Sequence, residues 1–168
     1  FVGSHVADCL SDNGYQVIIF DYINSPWLRA DQNMVIGDIL DTDKLEQTIK
    51  GAKYVYNFAA LADLNQALDK PVKTVEINIL GNLNVLEACR IHNVKRFIYA
   101  STVYVHSREG SFYRCSKQSS ESYVDEYQKA YNLDYTILRY GSLYGPRADD
   151  TNGMYRIVSS ALKTGKVK

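Results

Sequence analysis

The segment Arg96-Phe97-Ile98-Tyr99-Ala100-Ser101 reads as a buried strand, the stretch from Ser116 to Tyr131 as a helix, and Tyr135-Thr136-Ile137-Leu138-Arg139 as a second strand. The two outer runs are short and apolar. The middle one carries Tyr123, Tyr127, Ala130 and Tyr131 at spacings of four, three and one, the period of an amphipathic helix. Strands of continuous apolar character are covered on both faces, and strands that alternate with helices imply a parallel, doubly wound sheet. The rest of the chain repeats this alternation. Val17-Ile18-Ile19-Phe20 ends at Asp21, Val35-Ile36 ends near Gly37-Asp38, and Tyr54-Val55-Tyr56-Asn57-Phe58-Ala59-Ala60 forms a third run.

Helices are predicted between these runs. Gly3 to Asn13 places Val6, Cys9 and Leu10 at helical spacing and stops at Asn13-Gly14. Asp41 to Lys50 begins on an Asp and sets Leu45 and Ile49 four apart. Pro71 to Asn93 is predicted as the longest helix, with Pro71 suited to the first turn and Val75, Ile79, Leu83 and Leu86 among its apolar residues. After Gly145-Pro146 the chain turns polar over Arg147, Asp149, Asp150 and Asn152, and a short helix follows from Met154 to Lys163. The expected fold class is therefore α/β, a Rossmann-like doubly wound sheet over residues 1–145, with residues 146–168 beginning a substrate-binding region. In such folds the first strand feeds the first helix through a glycine-rich turn. Phe1-Val2-Gly3 already stands at the helix entrance, so that strand and the first glycines are expected upstream. This polypeptide alone is expected to fold marginally, with unpaired strand edges, and to bind a dinucleotide poorly.

Composition excludes several classes. The 168 residues suffice for one domain with a hydrophobic core. Nineteen basic residues balance nineteen acidic ones, which leaves no electrostatic footprint for nucleic acid. No apolar run approaches the roughly 18–20 residues that cross a bilayer. Cys9, Cys89 and Cys115 form neither a disulfide framework nor a metal-ligand cluster and read as reduced thiols.

The candidate site residues lie at strand ends and helix starts. A helix N-terminus offers free amides and the positive end of the helix dipole to a pyrophosphate, and Gly3 lets backbone approach there. Asp21, 18 residues on, ends the next strand where an acid accepts the adenosine ribose hydroxyls. A carboxylate at that place repels the 2′-phosphate of NADP, and no arginine is adjacent, so NAD is favoured. Asp38 is placed to accept from the adenine amino group, with Ile39 packing on the ring. Phe58, Ala59 and Ala60 let a cofactor pass close to a strand's carboxyl end. Tyr113 and Lys117 are four apart and share a helix face. An ammonium beside a phenol is expected to lower its pKa from about 10, so that it exchanges a proton with a sugar hydroxyl. Thr102, or Ser101 beside it, supplies a hydroxyl to the same oxygen. With fourteen tyrosines and eleven lysines, about one Tyr-x-x-x-Lys pair arises by chance. Its position, opening a helix shortly after a strand that ends in two hydroxyls, is what distinguishes it.

The ordered set of Gly3, Asp21, Asp38, Asn57-Phe-Ala-Ala60, Asn78, Ser101-Thr102, Tyr113-x-x-x-Lys117 and Leu138-Arg-Tyr-Gly-Ser-Leu-Tyr-Gly-Pro146 resembles the extended short-chain dehydrogenase/reductase family. Within it, the chain is similar to the NAD-dependent epimerase/dehydratase group acting on nucleotide sugars. The resemblance implies Tyr113, Lys117 and Thr102, with Ser101 as fallback, for acid–base catalysis. For cofactor binding it implies Gly3, Asp21, Asp38, Ile39, Phe58, Ala59, Ala60, Asn78, Lys117 and Tyr140. Thr102, Tyr113 and Ser142 face the substrate in this reading. Ser142 stands where many sugar epimerases carry Asn. Val103-Tyr104 follows Thr102 where the 4,6-dehydratases carry Asp-Glu, which disfavours dehydration. His106, Arg108 and Glu109 read as solvated loop residues, and Arg147 as a candidate for a nucleotide phosphate. The implied protein is a cytoplasmic, homodimeric nucleotide-sugar epimerase. A dehydrogenase, reductase or decarboxylase would use the same residues, and a regulatory protein could keep the fold without turnover.

Overall fold

The computed structural model describes residues 1–166. In chain order the elements are α1 (Val2–Asp12), β1 (Val17–Asp21), β2 (Gln32–Ile36), α2 (Thr42–Ile49), β3 (Tyr54–Asn57), α3 (Leu64–Asp69), α4 (Pro71–Val75), a π-helical turn (Glu76–Leu80), α5 (Gly81–Ile91), β4 (Arg96–Thr102), a 3₁₀ turn (Val103–His106), α6 (Ser111–Tyr131), β5 (Tyr135–Tyr140) and α7 (Gly153–Thr164). Every strand pair is parallel: β1 with β2, and β3-β4-β5 in that order. The sheet is in two pieces, because β1 and β3 do not hydrogen-bond to each other. All five expected strands are present, and helices connect them as the parallel arrangement requires.

Local chemistry sets the helix starts. The Asp41 carboxylate accepts from the Lys44 amide at 3.2 Å, the Asp63 carboxylate from Gln66 at 2.9 Å, and the Asn152 side chain from Tyr155 at 3.0 Å. Each satisfies an amide that has no partner inside its helix. Six-residue α3 is too short to show a period in sequence, and only its Asp63 cap announces it.

The core lies where α2, α5 and α6 pack on the sheet. It gathers Leu45 and Ile49, Val85, Leu86 and Cys89, Phe97 and Tyr99, and Val124. Burial pushes the Cys89 thiol up to about 12, so it stays protonated and behaves as an apolar residue. A Cβ placed on Gly81 would stand 2.7 Å from Ile39 Cγ2, so this glycine is what lets Ile39 lie against α5. The opposite sheet face carries a groove lined by Leu10, Tyr15, Tyr54, Tyr56, Ile98 and Leu138.

The predicted helix from Pro71 to Asn93 is one helical path broken into α4, the π turn and α5. The segment beyond Gly145 is tied to α1: His5 Nε2 lies 2.8 Å from the Pro146 carbonyl, and Arg147 donates to Asp8 at 2.6 Å. The Arg147 guanidinium also sits 5.0 Å from the centre of the Trp27 ring. Arg147 thus joins this segment to α1 and to Trp27, while its buried Nη1 has no partner among the described residues. α7 buries none of its residues. Leu86 is fully buried between α5 and the sheet, so Leu86→Ala should lower the stability of the intact protein by about 2–5 kcal/mol in urea unfolding, without displacing the site residues.

Candidate active site

Helix α6 starts at Ser111, not at Ser116 as its periodicity suggests, because the backbone turns sharply at Gly110. Gly110 has φ +97°, and a Cβ there would meet Cβ atoms of Tyr104 and Arg114 at 3.0 Å. Only glycine accepts both conditions. The early start puts Tyr113 and Lys117 on the first turns of one helix. The loop before α6 is fastened to it: Arg114 donates to the Ser107 carbonyl at 2.9 Å and Gln118 to the Val105 carbonyl at 2.8 Å. His106, Arg108 and Glu109 are exposed on that loop, as expected.

Lys117 is 2% exposed. Its Nζ donates to the Ala100 carbonyl at 2.7 Å and sits 4.6 Å from the centre of the Tyr99 ring and 5.7 Å from that of Tyr113. Burial drives its pKa down from 10.5 to about 7, with the Glu121 charge acting in the opposite sense. Burial also pushes the Tyr113 phenol up, and Tyr104 adds to this. The expected lowering of Tyr113 by Lys117 is therefore not a property of the protein alone. Removing both groups from water disfavours the phenolate and the ammonium alike, and the ammonium is directed at a backbone carbonyl.

The two hydroxyls that end β4 have different roles. Ser101 Oγ donates to Glu121 Oε1 at 2.5 Å, and Arg139 grips the same carboxylate with Nε at 3.0 Å and Nη2 at 2.8 Å. Thr102 Oγ1 accepts from the Tyr104 amide at 3.3 Å, and its own proton has no partner among the described residues. Tyr140 is the register partner of Thr102 at the end of β5. Ser142 is exposed just beyond.

Asn78, central in the π turn, is 2% exposed. Its Oδ1 accepts from the Leu61 amide at 2.7 Å, and its Nδ2 donates to the Leu61 carbonyl at 3.1 Å and to Ser116 Oγ at 2.9 Å. Ser120 Oγ donates to its backbone carbonyl at 2.8 Å. With its amide so occupied, Asn78 ties the segment after β3 to α6. A π turn widens the helix by a residue and commonly marks a functional site.

The cofactor candidates gather at the carboxyl ends of β1, β2 and β3. Phe1 gives α1 no side-chain cap, and no acid stands in its first turn, so its first amides are open to an anion. Phe58 packs on Gly3, where a Cβ would make ordinary contact at 3.6 Å, and this brings the end of β3 to the start of α1. Asn57, which the sequence motif includes without a role of its own, shapes that end: its Oδ1 accepts from Ala59 at 3.1 Å and its Nδ2 donates to Asn82 at 2.9 Å. Ala59 is exposed and Ala60 half-buried. Asp21 accepts from the Ile23 amide at 3.4 Å and Asp38 from the Leu40 amide at 2.9 Å, each through one oxygen, and both carboxylates are exposed. The set fits a dinucleotide: open helix amides for phosphate, and exposed carboxylates for hydroxyl and amino donors. Ile39 is partly buried against Gly81 and the core.

The profile of the NAD-dependent epimerase/dehydratase family matches residues 1–168. The chain belongs to this family. It is 31% identical over 167 residues to a putative UDP-glucose 4-epimerase of Methanocaldococcus jannaschii, covering 89% of this chain and 55% of that protein. It superposes on a UDP-glucose 4-epimerase of Thermotoga maritima, solved with UDP-glucose, with a TM-score of 0.90 at 30% identity, over 99% of this chain and 61% of the other. A UDP-glucose 4-epimerase of Thermus thermophilus in complex with NAD gives 0.87 at 28% identity, over 97% and 60%. The chain thus spans between half and two thirds of the length of these three proteins.

Lys117 is ordinarily protonated in an unfolded chain up to about pH 10.5 but loses its proton near 7 when folded. The unfolded state therefore binds more protons between these values, and folding stability from this group rises with pH across them. In the cofactor-free intact protein, Lys117→Met should raise the melting temperature most at about pH 6, with the gain shrinking toward about pH 10. A gain that does not vary with pH would show that Lys117 is not desolvated.

Proposed function

We propose that this protein is an NAD-dependent epimerase acting on a nucleotide sugar. The observation that carries the reading is the placement of Tyr113 and Lys117 on successive turns of α6, opposite a β4 end where Thr102 keeps its hydroxyl proton uncommitted. In this reading Tyr113 removes a proton from a sugar hydroxyl and later returns it, while Thr102 hydrogen-bonds the same oxygen. Lys117 stabilises the phenolate when charged and orients the nicotinamide ribose. NAD, when bound, supplies the hydride acceptor and donor. The α1 amides beside Gly3 would hold the pyrophosphate, Asp21 the ribose and Asp38 the adenine, with Ile39, Phe58, Ala59 and Ala60 along the cofactor. Tyr140 would meet the nicotinamide end and Ser142 the sugar. Asn78 we assign to positioning, since its amide is fully used within the protein. Ser101 we assign to the strand end, since Glu121 holds its hydroxyl.

Two measurements on the intact protein test this. Tyr113→Phe should lower kcat by about 10²–10⁴-fold while KM for the nucleotide sugar changes little. Absorbance of reduced nicotinamide should not accumulate in proportion to product. Stoichiometric accumulation would make the protein a net dehydrogenase, and full activity of Tyr113→Phe would remove Tyr113 from the chemistry.

A further inference from the structure

We propose that Glu121 is a positioning residue of this site: its carboxylate latches α6 to the carboxyl ends of β4 and β5 and keeps a negative charge one helical turn from the Lys117 ammonium. The inference rests on the reading of Tyr113 and Lys117 as the catalytic pair. Tyr113, Lys117 and Glu121 follow one another at intervals of four and so share a face of α6. Lys117 and Glu121 grip consecutive residues of β4, the first through the Ala100 carbonyl and the second through the Ser101 hydroxyl. Ser101 and Arg139 are register partners on β4 and β5, so Glu121 joins both strands at the level where Thr102 and Tyr140 begin the site.

The same contacts keep Glu121 ionised. Burial works against its charge, and the bonds from Arg139 and Ser101 outweigh it, leaving the carboxyl below its ordinary range. Around Lys117 the groups that titrate are few. Tyr99 faces it from β4, and Tyr113 and Glu121 from α6. Arg139 on β5 and His106 on the 3₁₀ turn act on Glu121 from behind, and Tyr104 lies against Tyr113. Glu121 is the single anion in the set, and it alone offsets the burial that strips Lys117 of its proton.

Two variants of the intact protein separate this role from a merely structural one. Glu121→Gln keeps an acceptor for Ser101 but removes the charge. It should cut kcat about ten-fold with KM nearly unchanged, and move the alkaline limb of the kcat–pH profile down by about one unit. Arg139→Gln leaves the carboxylate in place and removes the cation behind it, and should move that limb up. Glu121→Asp should restore the limb toward the parent value. Limbs that stay in place, or that move in the same direction in the Gln variants, would overturn the proposal. If Glu121→Gln does not fold, the direction of the shift in Arg139→Gln decides alone. Loss of activity in Tyr113→Phe together with unmoved limbs would leave the catalytic pair standing and defeat only the role of Glu121. An active Tyr113→Phe would defeat the pair itself.

Discussion

A lysine ammonium buried against one backbone carbonyl governs the arrangement of this protein. Lys117 reaches from α6 to the carbonyl of Ala100 near the end of β4, with the Tyr99 ring beneath it. A buried cation that lacks a full shell of partners is costly. The contact ties the start of α6 to the end of β4. Tyr113 stands one helical turn before Lys117, with its ring centre 5.7 Å from the Lys117 Nζ. The cost is carried by the packing of α5, α6 and β4, where the largest fully buried side chains lie. Stability is thus spent at a buried titratable group, a feature enriched at functional sites.

Two polar devices hold the arrangement in place. On one side, Asn78 uses every hydrogen-bonding atom of its amide to join the segment after β3 with Ser116 on α6. The π turn that presents Asn78 interrupts an otherwise regular helix, and the gain is a link between the segment after β3 and α6. On the other side, Glu121 binds Ser101 and Arg139 and so links α6 to two neighbouring strands. Between these devices the Thr102 hydroxyl accepts from the Tyr104 amide, and its proton has no partner among the described residues. The division of labour between Ser101 and Thr102 follows from strand geometry, because adjacent residues of a strand point to opposite faces.

The cofactor side is built more openly. Asp21 and Asp38 each cap a local turn with one oxygen and keep the carboxylate exposed. A turn-capping aspartate and a ligand-binding one are therefore compatible, since the first use orients the side chain for the second. The beginning of the segment after Gly145 is fixed to α1 through His5 and Asp8 and to the loop after β1 through Trp27, so the helix with the open amides also anchors that segment.

Sequence alone determined the order of strands and helices, their parallel pairing, and the residues where strand ends meet helix starts. Each of these depends on local period and on turn chemistry, which neighbouring residues encode. The placement of Thr102 at a strand end, with Tyr113 and Lys117 on the helix that follows, was legible for that reason. Tertiary structure alone decided the break of the long helix at Asn78, the separation of Ser101 from Thr102, and the partners of Arg147 and of Glu121. The spacing from Lys117 to Glu121 was visible, but its meaning required Arg139, which lies 18 residues away in sequence. Whether a charged pair tunes a proton or merely caps a surface depends on how much water remains around it. Burial of that kind is a sum over distant elements and has no local signature in the chain.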